Sequence, residues 1–72
     1  MKKAEAKKIV RELRAMESDA EVLDGYQTRG SYGETTTAIR CESLIDVGRA
    51  LERTGIEGGV AWESLGLGYV VW

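Results

Sequence analysis

"EVLDGYQTRGSYGETTTAIRC", residues 21–41, is the stretch on which the fold turns. Val, Ile, Thr and Tyr favour a pleated, half-buried surface. Two such runs around a glycine-containing loop predict a β-hairpin. With Gly30–Ser31–Tyr32–Gly33 as the loop, Arg29 faces Glu34, Thr28 faces Thr35 and Tyr26 faces Thr37. Side chains alternate between sheet faces. Val22, Tyr26, Ile39 and Cys41 then share an apolar face with Thr28, Thr35 and Thr37. Gln27, Arg29, Glu34, Thr36 and Arg40 share the polar one. Asp24 falls on the apolar face, and a bulge at Gly25 is expected to turn it out. A phosphate-binding loop needs a lysine after its last glycine and a helix starting there. Here Glu34 follows Gly33 and a strand follows Glu34. The loop is therefore read as a turn whose tip presents Tyr32.

Working outward, the segment before the hairpin predicts a helix. Ala6, Ile9, Leu13 and Met16 recur at helical spacing with Val10 beside them. It should fray near Ser18–Ala20, where Ser and Asp favour local side-chain bonding. After the hairpin, "SLIDVGRALERTG" (residues 43–55) predicts a second helix. Ser43 caps it, Leu44, Val47 and Leu51 line its inner side, and Gly55 stands at its C-terminal cap. Gly48 is expected to permit close approach to the sheet. The tail, "GGVAWESLGLGYVVW" (residues 58–72), predicts a second hairpin with Val60 and Trp62 pointing inward. The order is α-β-β-α-β-β. It predicts a single α+β domain over residues 1–72, a four-stranded antiparallel sheet with two helices on one face. The other face is expected to be largely solvated.

Seventy-two residues bury only about 60% of the surface their unfolded chain exposes, so the core is small. With 43% hydrophobic and 31% charged residues, the chain is globular rather than disordered. Histidine is absent, which removes histidine catalysis and histidine metal ligation. The acidic residues match no calcium-loop spacing. No cofactor, metal or catalytic residue is predicted, and the chain is read as no enzyme. No apolar run approaches the ~20 residues of a membrane helix. One cysteine and no signal-peptide pattern point to the cytoplasm. Cys41 is read as a small buried hydrophobe, and Trp62 and Trp72 as core.

Charge is unevenly placed. Residues 1–14 hold six basic and two acidic side chains, and residues 15–72 hold four and ten. At 100° per residue, Lys3, Lys7, Arg11 and Arg14 form one stripe of the first helix, whose like charges at i,i+4 repel. After it come Glu17, Asp19, Glu21 and Asp24. Small size, missing catalytic chemistry and split charge predict a non-enzymatic regulator or inhibitor that docks on a protein. Its contacts would be Arg29, Tyr32, Glu17, Asp19, Glu21 and Asp24. A nucleic-acid-handling complex of bacterial or viral context is the expected kind of target. The second reading is a nucleic-acid-binding module using Lys3, Lys7, Arg11 and Arg14. Homodimerisation through the C-terminal strand is expected if that strand forms a sheet edge.

Overall fold

A computed structural model describes residues 1–27, 35–54, 59–63 and 68–72. The first helix, α1 (Lys3–Arg14), buries Ala6, Ile9, Val10 and Leu13. Glu5 stands in its first turn and Arg11 and Arg14 in its last, each where the helix dipole favours its charge. Instead of fraying near Ser18–Ala20, α1 stops at Arg14 in a defined turn.

The first two strands, β1 (Glu21–Tyr26) and β2 (Thr36–Cys41), pair antiparallel. Val22 opposes Ile39 and Leu23 opposes Ala38, but Tyr26 opposes Thr36 rather than Thr37. Asp24 and Gly25 therefore stand together across from Thr37, with Gly25 at φ +72°. The bulge is where the sequence placed it, and its effect is the reverse of that expected. It leaves Asp24 on the helix side, where the Thr37 hydroxyl donates to its Oδ1 at 3.2 Å. It rotates Tyr26 to the other face, because one extra residue inverts the alternation beyond it. The tip, with Arg29, Tyr32 and the Gly30–Gly33 loop, lies outside the described residues.

The second helix, α2 (Leu44–Thr54), begins as its cap predicts: the Asp46 N–H donates to Ser43 Oγ at 3.3 Å. Val47, Ala50 and Asp46 are buried, and Leu51 packs against the core. Leu44 does not join them and is 66% exposed. The inward face is centred between Val47 and Ala50, and Leu44 lies about 90° around the helix from that centre. Gly48 makes no close approach either. A Cβ there would meet nothing within 4 Å, so its cost to the helix, about 1 kcal/mol relative to alanine, is not offset by packing.

The last strands are β3 (Val60–Glu63) and β4 (Gly68–Val71). The strand order is β1-β2-β4-β3, with every neighbouring pair antiparallel. β4 is flanked on both sides, with Cys41 across from Tyr69 and Val60 across from Val71. Its backbone is thus committed, and dimerisation by adding a strand to it is closed. The expected α+β class, with two helices and an antiparallel sheet, is the fold adopted.

Both helices meet one sheet face. Ala6, Ile9, Val10, Leu13 and Ala20 pack with Ile39, Cys41, Val47, Ala50 and Val71 in one cluster. α1 lies on β1 and β2, and α2 on β4 and β2. Val60 shares the face of Val71 but lies beyond that cover, and is 43% exposed rather than inward.

The opposite face is not simply solvated. Ala38 and Val70 are buried there, and the Tyr26 and Trp72 rings meet with centroids 5.8 Å apart. Trp72 pairs through its backbone with Gly59 at 3.1 and 3.2 Å. A Cβ on Gly59 would enter the Trp72 ring, so glycine is what lets the indole lie over β3. The side chain of Trp62 lies outside the described residues.

Candidate functional site

The candidate contact residues divide by what already holds them. The corner after α1 is held by a set of local hydrogen bonds. The Ser18 N–H reaches back to the Leu13 carbonyl at 3.2 Å, and the Glu17 N–H to Arg14 at 3.0 Å. This is the Schellman pattern, in which the residue before the last donor adopts the left-handed conformation. That residue is Glu17, with φ 64°. Ser18 Oγ then accepts from the Ala20 N–H at 3.0 Å, and Arg14 Nε donates to the Ala20 carbonyl at 2.9 Å. Buried Ala20 anchors the corner in the core. Glu17 and Asp19 stand exposed on it, with no side-chain partner among the described residues.

Glu21 and Asp24 do not belong to this group. Glu21 lies on the far sheet face, 3.3 Å from Arg40 Nη2. Asp24 sits at the other end of β1, 3.1 Å from Lys3 Nζ. Hydrogen bonds from Lys3 and then Thr37 hold its carboxyl below the usual carboxylate value. The run of acids in the sequence is thus distributed over three places. Two of its four members are matched within the chain.

The basic stripe divides in the same way. Lys3 is tied to Asp24, and Arg14 to the Ala20 carbonyl. Lys7 and Arg11 remain exposed on α1 with no side-chain partner among the described residues. Lys8, which the stripe omits, lines a shallow groove between the helices with Glu5, Ile9, Glu12 and Arg53. Arg53 closes that groove by donating to Glu12 Oε2 at 2.9 Å.

Arg40 has the densest ionic surroundings. It lies between Glu21 and Glu42, at 3.3 and 3.4 Å, with its side chain 16% exposed. These carboxylates raise its pKa, led by the hydrogen bond that Arg40 donates to Glu21. Sequence reading placed Arg40 on the right face but gave it no role. The pairing could not be read from the expected register, which sets Leu23 opposite Arg40, whereas the observed one sets Glu21 there. Cys41 is fully buried as expected, and burial pushes its thiol from an ordinary 9.0 up to about 11.

Sequence reading also passed over Ile45, which is 68% exposed beside Leu44. The signal was available: two large aliphatic residues open α2, and only one side of a helix can face a core. Among the described residues, no helix is long and apolar enough to cross a membrane. No family model matches the chain, and no curated protein or solved structure matches it either.

Proposed function

We propose that this chain is a non-enzymatic regulator or inhibitor that docks on a protein through the corner carrying Glu17 and Asp19. The observation that carries this reading is the local cost of that corner. A glutamate there occupies a left-handed backbone position that glycine fills without strain. It also puts negative charge at the helix end whose dipole disfavours it. Both costs fall on an exposed side chain with no partner among the described residues. Local rules broken without internal compensation are expected at functional positions. The partner this chemistry fits is a basic protein surface, such as one that handles nucleic acid in a bacterial or viral setting. Arg29 and Tyr32 of the hairpin tip are proposed as additional contacts, since Tyr and Arg commonly anchor interfaces. The proposed site of action is the cytoplasm, where a lone buried thiol stays reduced.

The test is affinity capture from bacterial lysate, run in parallel with the wild type and a Glu17→Gln/Asp19→Asn double variant. The expected result is one stoichiometric protein retained by the wild type and lost by the variant. Equal recovery by both refutes the corner as the contact. The nucleic-acid reading rests on exposed Lys7 and Arg11, with Arg14 contributing only its outer nitrogens. It predicts binding of DNA or RNA that weakens steeply as salt rises, as bound counterions are released. A flat anisotropy signal at low salt removes it.

A further inference from the structure

One dipeptide in β1 carries a chemistry that the docking corner does not use. Asp24 is followed by Gly25, whose amide has no side chain of its own to shield it. Gly25 holds φ +72° at the bulge, a left-handed position that favours glycine. The fold therefore keeps a glycine directly after the aspartate. Its amide also lies against the Asp24 carboxylate, as one of the contacts that hold that carboxyl below its usual value. A backbone nitrogen and a side-chain carboxyl carbon are thus neighbours, the proximity that an intramolecular attack needs. Two other groups hold the same carboxylate. Lys3 Nζ of α1 stands 3.1 Å from Oδ2, and the Thr37 hydroxyl of β2 donates to Oδ1 at 3.2 Å. Each favours the ionised form, whose oxygen is a poor leaving group, and each fixes where the carboxyl points. The side chain is otherwise open to water, so charge and position protect it rather than burial.

We infer that Asp24–Gly25 is a site of backbone isomerisation, held closed by Lys3 and Thr37 while α1 lies over β1. In the reaction the Gly25 nitrogen bonds to Asp24 Cγ. The amide proton and the carboxyl OH leave as water, and a cyclic imide closes. Water then opens that ring at either of its carbonyl carbons. Attack at Cγ restores aspartate. Attack at the former backbone carbonyl leaves the main chain running through Cβ and Cγ, which is isoaspartate. Nothing is oxidised or reduced, and the water lost is regained. The product adds a carbon to the main chain at the bulge, and its carboxylate sits directly on Cα. That shorter arm no longer meets Lys3 and Thr37 as Asp24 does, so the tie between α1 and β1 goes with it. The change therefore loosens the contact whose loss allowed it.

Incubation of the full chain at pH 6 and 37 °C, followed by tryptic mapping with electron-transfer fragmentation, tests this. Cleavage after Arg14 and Arg29 releases residues 15–29 as one peptide. It holds Asp19 as well as Asp24, and Asp19, which precedes Ala20, is the internal reference. Wild type unfolded in guanidinium should form isoaspartate at position 24 at least about tenfold faster than folded wild type, which must first open locally. Lys3→Ala improves helix propensity and removes a cation from the N-terminal end of α1, so the helix is kept. In the folded chain it should speed the reaction about threefold, the share an exposed ion pair can hold, with an unchanged circular dichroism spectrum. Lys3→Arg should return the wild-type rate. Equal rates in folded and unfolded wild type overturn the inference. A folded rate that Lys3→Ala leaves unchanged overturns it as well. Glu17 and Asp19 take no part in this chemistry, so either proposal can fail while the other stands.

Discussion

Replacing Glu17 by glycine is expected to make the domain more stable, although it deletes a charged side chain and adds backbone freedom. The reason lies at φ 64°, the left-handed position that closes the Schellman turn after α1. An L-residue held there costs about 1–2 kcal/mol, and glycine is spared that cost. A carboxylate at the C-terminal end of a helix adds about 0.3–1 kcal/mol of unfavourable dipole interaction. Against both stands the greater entropy of glycine in the unfolded chain, about 0.4–1 kcal/mol. The balance is a gain of about 1 kcal/mol. For a domain of this size that is a rise of roughly 4–8 °C in thermal midpoint. Glu17→Ala separates the two contributions, since it removes the charge and keeps the left-handed strain. It should recover only the dipole part, and added salt should shrink that part further. Thermal unfolding followed at 222 nm, with urea midpoints as a second measure, reads all three proteins. If glycine stabilises no more than alanine, the left-handed backbone at Glu17 is not strained. A stabilised Glu17→Gly variant that also loses the captured partner would locate a trade between stability and docking at this one residue.

Gly59→Ala should destabilise by about 1–3 kcal/mol, because the added methyl enters the Trp72 ring and the indole must leave its place. Urea unfolding gives the loss, and an unchanged midpoint would mean that the indole moves freely. Cys41 should resist thiol reagents at pH 8 in the folded protein and react once urea unfolds it. Its raised pKa also sets a sign with pH. Stability from the neutral buried thiol is complete below pH 9, and it falls as pH rises toward 11, where the unfolded chain ionises first. Cys41→Ala should remove that slope, and a slope that survives the substitution assigns it to another group. The Arg53–Glu12 pair joins two helices but is half exposed, so a double-mutant cycle should return no more than about 1 kcal/mol.

Periodicity made the inner layer legible. Ala6, Ile9, Val10 and Leu13 at helical spacing, and Ile39 and Cys41 at strand spacing, fall in one core. The Ser43 cap and the Gly25 bulge were legible too, because each depends on local backbone chemistry alone. The direction in which the bulge turned the chain was not legible. Turning Asp24 out and turning Tyr26 over both resolve the same misfit in the pattern. The Thr37 contact that favours the second depends on the register of β1 against β2, and the Lys3 contact arises only when α1 lies over β1. The place of β4 between β2 and β3 was likewise beyond local reading, since hairpin signals pair consecutive strands and say nothing of β2 with β4. That one pairing changes the most. It satisfies on both sides a strand whose place in the sheet the sequence left open, and it puts Val60 beyond the reach of both helices. For the candidate contacts, a run of charges in sequence did not become a cluster in space. Successive strand residues point to opposite faces, which sends Glu21 to Arg40 and leaves Asp24 with Lys3.

What remains unmatched after this internal pairing separates two kinds of surface. Where the chain satisfies its own charges, as at Asp24, Glu21, Arg40 and Glu12, a functional reading of those charges loses force. Each is already fixed by a neighbour, and a partner would have to break a contact in order to make one. Where a residue is costly in place and nothing in the fold offsets it, a contact outside the single copy is a cause that can be tested. Glu17 is costly through its backbone and its charge. Gly48 is costly through helix propensity, and Leu44 and Ile45 through exposed apolar area. An exposed aliphatic residue alone is ordinary. Two in succession beside an unfilled glycine are a stronger signal, because alanine at position 48 would stabilise α2 at no steric cost. The two substitutions to test, Glu17→Gly and Gly48→Ala, therefore share one logic. Each should improve the isolated domain, and Glu17→Gly should in addition impair the proposed docking. A variant that improved the domain while leaving its associations intact would mean that the local cost had no functional cause.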